Sequence, residues 1–332
     1  MDEMLPPILG EDPFFLDTVE RCSRLAAIDR PCLVVGERGT GKELFSSRLH
    51  YLSARWNGPL IKVNCAALSE TLLESELFGH EMGAFTGAQR KRAGRFELAH
   101  DGTLILDEIA NASAAVQEKV LRVIEYGEFE RVGGTQTLHV DVRIVGGANV
   151  DLPAMAKSGK FRADLLDRLA FDVITIPPLR ARSGDILTLA ESFAVDMSRD
   201  LGLETFPGFS DFAIETLQAH TWPGNVRELR NVVERSLFDA AQTDGPVDAI
   251  RLDPFASPWR PPGSVHDDNM TDEQALPKLG ASASFSEAVA QFEKTILQKA
   301  LAECRYVQKD AAERLDLGYH QFRRLIQKHK LN

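Results

Sequence analysis

Two kinds of apolar pattern alternate along the first half of the chain. Short, largely apolar runs at 32–35, 60–63, 103–106, 142–145 and 171–176 have the length and composition of buried strands. Between them apolar residues recur every three or four positions, as Phe45, Leu49 and Leu52 do, which places a stripe along one helix face. Alternation of this kind predicts an α/β fold with a parallel sheet sandwiched by helices. From about 183 to 248 only the helical pattern remains, so a helical subdomain follows the sheet. At 255–284 the periodicity dissolves into Pro, Ser, Gly, Asp and Asn, which reads as a flexible linker. Beyond it Phe285, Val289, Phe292, Ile296 and Ala300 mark an amphipathic helix. Two shorter helices follow over 308–315 and 320–329, hinged near Leu317, Gly318 and Tyr319. The expected division is an α/β core over 7–178, a helical subdomain over 179–252, a linker over 253–284 and an all-α domain over 285–332.

Composition narrows the class. The 332 residues are 44% hydrophobic and 26% charged, ordinary for a globular chain of about two domains. No apolar stretch approaches the ~20 residues of a bilayer span, and the N-terminus lacks a basic-then-apolar leader. A cytoplasmic protein without membrane insertion is expected. The four cysteines are scattered, with no C-x-x-C pair, and read as reduced thiols; the eight histidines contain no H-E-x-x-H zinc motif. The net charge is −11, yet residues 305–330 are basic by four, leaving the remainder at about −15. An acidic body with a small basic end fits a machine tethered to DNA by one module.

The candidate chemistry begins after the strand at 32–35. Gly36, Glu37, Arg38, Gly39, Thr40, Gly41, Lys42 and Glu43 lie between that strand and a helix, the context a phosphate cradle requires. Glycines let backbone N–H groups close around phosphate oxygens, the helix N-terminus adds positive potential, and Lys42 reaches the β- and γ-phosphates. Glu43 stands where most such loops carry the Ser or Thr that holds Mg²⁺, which leaves the metal's first shell open. The strand at 103–106 ends in Asp107 and Glu108. Asp107 suits Mg²⁺ or its waters and Glu108 suits polarising an attacking water, the pattern of a hydrolase; the plainer alternative is a buried strand ending in a capping Asp.

These residues resemble the bacterial enhancer-binding proteins, AAA+ activators of sigma-54 RNA polymerase, a family that itself carries Glu after the P-loop Lys. The segment Gly83, Ala84, Phe85, Thr86, Gly87 and Ala88 matches the family's signature loop that contacts sigma-54. From the residues alone it is an interaction loop or a plain turn. The resemblance further implies an Asn switch at Asn64, which ends the strand taken to lie beside the P-loop strand. It implies a sensor at Asn149, arginine fingers at Arg162 and Arg168, and a second sensor at Arg227 that touches ATP from the helical lid. Without it the two fingers would read as helix-surface salt-bridge partners. Gln308, Lys309, Tyr319, His320, Gln321, Arg323, Arg324 and Lys328 look like the DNA-facing positions of a Fis-type helix-turn-helix; a helical hairpin with a solvated basic face is the alternative.

The family implies ATP and Mg²⁺ as cofactors, sigma-54 RNA polymerase and enhancer double-stranded DNA as partners, and a homo-oligomeric ring, expected as a hexamer, at the bacterial nucleoid. The ATPase begins almost at residue 8, without the sensory domain that most relatives carry. That feature is similar to members that activate phage-shock (envelope stress) genes and are restrained in trans by a negative regulator, PspA; an activator of another regulon is the alternative. Trp56, in a polar turn after the P-loop helix, either folds back onto that helix or anchors such a regulator.

Overall fold

The computed structural model describes residues 8–241, 245–257, 259, 293–294, 297, 300–301, 308–315 and 317–329. Most of the expected linker, and Phe285, Val289, Phe292, Ile296 and Cys304, lie outside them. Contacts divide the chain into two units, Met1–Phe255 and Ala256–Asn332.

In the first unit the elements run α1 (Pro13–Ala26), β1 (Cys32–Val35), α2 (Lys42–Tyr51), β2 (Leu60–Asn64), α3 (Glu70–Phe78), α4 (Arg95–Leu98), β3 (Thr103–Asp107) and α5 (Ala114–Tyr126). They continue as β4 (Glu128–Glu130), β5 (Thr137–His139), β6 (Arg143–Ala148), α6 (Leu152–Lys157), α7 (Ala163–Leu169) and β7 (Val173–Thr175). Three longer helices close the unit: α8 (Asp185–Asp200), α9 (Asp211–Ala219) and α10 (Asn225–Ala240).

Five strands form one parallel sheet in the order β2-β3-β6-β1-β7. This corrects the expected place of Asn64. Its strand β2 pairs with β3 at the sheet edge and is separated from β1 by β3 and β6. The hairpin β4–β5 was not expected, because strands of three residues are too short to show an alternation.

The inner strands are buried on both faces, and their side chains alternate between two cores. Leu33, Leu104, Leu106 and Ile144 pack toward α3, α5 and α7, whereas Cys32, Val34, Ile105 and Val145 pack toward α1 and α2. That two-sided burial explains why these strands read as continuous apolar runs. The helical subdomain has a separate core around α8 and α10, with Trp222 fully buried and its indole N–H donating to Leu217 O at 2.9 Å.

One buried cation secures the base of the sheet. Arg143, 2% exposed, donates to the carbonyls of Ala26 (3.0 Å), Leu49 (3.2 Å), Leu25 (3.1 Å) and Arg30 (3.3 Å). Leu25 and Ala26 close α1 and Leu49 lies in the last turn of α2, so the guanidinium adds a donor at two helix ends, where the Leu25 carbonyl also accepts the Ile28 N–H at 3.1 Å.

In the second unit α11 (Gln308–Arg314) and α12 (Tyr319–Lys328) share a small core of Leu297, Ala300, Leu301, Ala311, Ala312, Phe322 and Ile326. Ala311 and Ala312 are fully buried, which lets the helices approach closely. Among the described residues no helix is long and apolar enough to cross a membrane.

Replacing Arg143 with Met should keep a long apolar stem but remove the donors from the carbonyls of Ala26, Leu49 and Arg30, while Leu25 O keeps the Ile28 N–H. The expected cost is about 2–4 kcal/mol, read as a lower urea midpoint of the α/β unit; an unchanged midpoint would show that water takes over the carbonyls.

Candidate functional site

Parallel sheets place their functional loops at the carboxyl ends of the strands, where strand order reverses. Here β1 and β3 lie on either side of β6, so the turn after Val35, the acids after Leu106 and Asn149 converge on one edge. A cavity of about 620 Å³ opens there. Its polar end is walled by Gly39, Thr40, Gly41, Lys42, Asn64, Asp107 and Glu108. Its other end is apolar, built from Ile8, Leu9, Leu189, Phe193 and Val226, with Arg227 and Arg230 beside it.

The loop needs its glycines. Gly39 (φ +78°) and Gly41 (φ +98°) occupy the left-handed region, and a Cβ on Gly39 would lie 2.2 Å from Gly224 O. Gly41 caps α2 without any side-chain hydrogen bond, so the first N–H groups of that helix face the polar end of the cavity with no intrahelical acceptor. Lys42 Nζ is anchored on the carbonyls of Gly36 (2.8 Å) and Glu37 (3.1 Å), and burial lowers its pKa. Glu43, also on the cavity wall, pairs with Lys62 at 2.8 Å. This donor set, concave and cationic, fits a polyphosphate.

The two acids differ in setting. Burial raises the Asp107 pKa, while its Oδ1 accepts the Glu108 N–H at 3.0 Å. A Cβ at position 147 would sit 2.6 Å from that oxygen, so Gly147 leaves room for it. Glu108 adopts φ +55°, unusual for a residue with a side chain. Its carboxylate is held from two sides, by Asn149 Nδ2 at 3.1 Å and Asn111 Nδ2 at 3.3 Å. Asn64 lines the same cavity but does not hold Glu108 here: its Oδ1 accepts the Ala66 N–H at 2.8 Å. Asn111 escaped the sequence reading, although its place three residues after Glu108 is the signal that could have found it.

The lid meets the loop through Asn225. This residue is fully buried at φ +51°. Its Oδ1 accepts the Leu179 N–H at 2.8 Å, and its Nδ2 donates to Arg38 O (3.0 Å) and Glu37 Oε2 (3.1 Å). Arg180 donates to both oxygens of Glu37, at 2.8 and 2.5 Å. Arg180 and then Asn225 hold the Glu37 carboxyl down at about 2. Arg227 N–H reaches Gly39 O at 3.3 Å, so the lid touches the loop at backbone level. Asn225 and Arg180 were not singled out in the sequence.

Arg162 and Arg168 lie away from this cavity's walls. Arg162 pairs with Asp164 (2.7 Å) and Glu118 (3.3 Å), and exposed Arg168 with Glu125 (2.8 Å). The 83–88 segment closes on itself through Gly83 N–H to Ala88 O (2.8 Å) and Ala88 N–H to Phe85 O (3.0 Å), with Phe85 edge-on to His80 at 5.0 Å. Thr86 and Gly87 are exposed, and Gly83 (φ +84°) and Gly87 (φ +106°) have open space around them. Arg131, next to the β4–β5 hairpin, grips the base of this loop by pairing with Glu81 at 2.9 Å and with Glu97. Trp56 is 62% exposed.

In the second unit Gln308, Lys309, Gln321, Arg323 and Arg324 are exposed and Tyr319 is 44% exposed. The His320 side chain lies outside the described ones. Lys328 is engaged with Glu293 at 2.8 Å, a carboxylate that also meets His329 at 2.7 Å.

Comparison with known proteins places these features. Residues 8–176 match the Sigma-54 interaction domain, residues 180–255 the AAA+ ATPase lid domain and residues 288–329 the bacterial regulatory proteins of the Fis family. The chain is 56% identical to the Psp operon transcriptional activator of Escherichia coli (strain K12) over 331 residues, covering all of both chains. It is 46% identical to the Nif-specific regulatory protein of Azotobacter vinelandii over 85% of this chain and 55% of that one. Crystal structures of NtrX from Brucella abortus in complex with ADP and with ATP align with a TM-score of 0.69 at 31% identity, over 98% of this chain and about 70% of theirs.

Asn225→Ala should leave the Leu179 N–H and the Arg38 carbonyl without partners. A drop of about 2–3 kcal/mol in stability is expected, together with weaker nucleotide binding; thermal melting with and without nucleotide measures both. Since Glu37 is held well below its ordinary value of 4.5, the Glu37–Arg180 pairing is complete at neutral pH and is lost only as the pH falls from there toward about 2.

Proposed function

This chain belongs to the sigma-54-dependent AAA+ transcriptional activators, and we infer that it hydrolyses ATP at sites shared between ring neighbours to open promoters for sigma-54 polymerase. It is a DNA-binding AAA+ ATPase of that system. The observation that carries the shared-site reading is the division of parts: Lys42, Asp107 and a doubly clamped Glu108 line one cavity, while Arg162 and Arg168 sit elsewhere on the surface.

Each residue has a definite task in this reading. The N–H groups at the start of α2 and Lys42 bind the β- and γ-phosphates, and Arg227 approaches them from the lid. Asn111 and Asn149 orient the Glu108 carboxylate so that one oxygen can accept a proton from an attacking water. Asp107 is the residue that would hold Mg²⁺; the ion, when bound, offsets phosphate charge. Asn64, on the cavity wall, is assigned the switch that takes Glu108 in another nucleotide state. Exposed ion pairs are weak, so Arg162 and Arg168 can exchange their carboxylates for a neighbour's phosphate at little cost.

The 83–88 loop, with Thr86 at its exposed tip, is the sigma-54 contact, and Arg131 ties its base to the hairpin. Gln308, Lys309, Tyr319, Gln321, Arg323 and Arg324 on the second unit are assigned to enhancer DNA, with His320 and Lys328 flanking; Lys328 would first leave Glu293. We assign the operon to the phage-shock type, the ring to a hexamer in the bacterial cytoplasm, and Trp56 to docking a negative regulator resembling PspA, because exposed Trp is frequent among interface hot spots.

Glu108→Gln should bind ATP yet slow turnover by about 10²–10⁴, whereas Lys42→Ala should lose binding; near-normal turnover by Glu108→Gln overturns its role. Mixing Arg168→Ala with Lys42→Ala subunits should restore part of the ATPase activity, because one kind of interface is then intact. Rings that form and remain inactive would refute action between subunits.

A further inference from the structure

The apolar end of the nucleotide cavity is closed by a strap, residues 8–12, and the strap is held by a buried ion pair that the phosphate chemistry does not use. Asp185 opens α8 and is 1% exposed, and Arg182 is 2% exposed. Asp185 does not cap its own helix. Its Oδ1 accepts the N–H groups of Glu11 (2.7 Å) and Asp12 (3.0 Å), more than 170 residues away. The pull toward the strap is visible in the pair itself. Arg182 Nη1 lies 3.8 Å from Asp185 Oδ2, and neither that oxygen nor Arg182 Nε has a hydrogen-bond partner among the described residues.

A buried polar atom left unpaired costs about 1–3 kcal/mol, so an arrangement that tolerates two calls for a reason. The surroundings supply one. Arg182 lies over the Phe15 ring at 4.1 Å, and Phe15 meets Phe45 of the P-loop helix edge-on at 5.8 Å. Asp12, whose N–H Asp185 holds, caps α1 with its own carboxylate. Gly10 has φ +150°, and a Cβ there would lie 2.6 Å from the Phe15 ring and 2.7 Å from Asp185 Oδ2. The strap is thus pressed onto lid and core together, and Ile8 and Leu9 line the same cavity as Leu189, Phe193 and Val226 of the lid.

We propose that Asp185, seated by Arg182, is a positioning residue for the nucleotide base: it fixes the 8–12 strap to the lid so that Ile8 and Leu9 close over the purine. The proposal rests on the reading that the cavity holds ATP with its phosphates on the P-loop, which leaves the apolar end to the base. It separates two parts of the affinity. The strap contributes to binding of the base, and the P-loop contributes to binding of the phosphates.

The test uses the full chain and two probes, ATP as substrate and inorganic tripolyphosphate as a competitor that carries no base. Asp185→Ala should raise the KM for ATP about tenfold or more, leave kcat within about twofold, and leave inhibition by tripolyphosphate unchanged. Asp185→Asn keeps an acceptor oxygen for the strap and should show a smaller rise. Gly10→Ala keeps both charges but pushes the strap away, and should show the same split between KM and kcat. If Asp185→Ala does not fold, the other two variants decide. An unchanged KM in folded variants overturns the proposal. So does a parallel loss of kcat and of tripolyphosphate inhibition, which would make the pair a general support of the lid. Failure of the underlying reading looks different: the unaltered chain would then hydrolyse ATP without dependence on Lys42.

Discussion

The side-chain amide of Asn225 joins the three parts of the molecule that must move together. It is buried, it sits in a left-handed backbone conformation, and it bonds at once to the start of the lid, to the phosphate loop and to the loop's acid. No other side chain of its size carries an acceptor and two donors in one rigid plane. A hydroxyl or a carboxylate would leave one of those groups unpaired in a dry site. The tight contact of Gly39 with Gly224 follows from the same constraint, because a Cβ on Gly39 would force lid and loop apart.

The carboxylate of Glu108 is held on a similar principle. Glu108 sits at positive φ and is gripped by two amides, so its carboxylate has little freedom to rotate. Asn149 lies just beyond the end of β6, between the strands that carry Lys42's loop and Asp107, and its amide reaches Glu108. On the far side of the α/β unit Arg131 binds Glu81 and Glu97 and links the loop at 83–88 to the β4–β5 hairpin. These charge-assisted hydrogen bonds fix the base of the loop against the hairpin.

The two units divide the electrostatics. The body is acidic and residues 305–330 are basic, which keeps non-specific DNA contact to one small module. A basic module covalently joined to an ATPase body raises the local concentration of that body near the DNA it binds.

Much of the function lay open in contiguous sequence. The phosphate loop, the Asp107–Glu108 pair, the 83–88 loop and the helix pair at the C-terminus each depend on residues a few positions apart, whose backbone makes the motif wherever it folds. The apolar runs also predicted the five strands of the parallel sheet. Their order was another matter. β2 lies at the edge and not beside β1, because pairing is chosen by which faces find cover, and the runs look alike. The short β4–β5 hairpin, the four-carbonyl seat of Arg143, the Asn111–Asn149 clamp and the Asp185–strap bond were decided by tertiary structure alone. Each joins groups by hydrogen bonds whose partners are set by packing: Asp185 and Glu11 are 174 residues apart, and nothing local to either marks the other. Short-range backbone chemistry wrote the reactive parts into the sequence; only the folded chain could say which buried polar groups hold them in place.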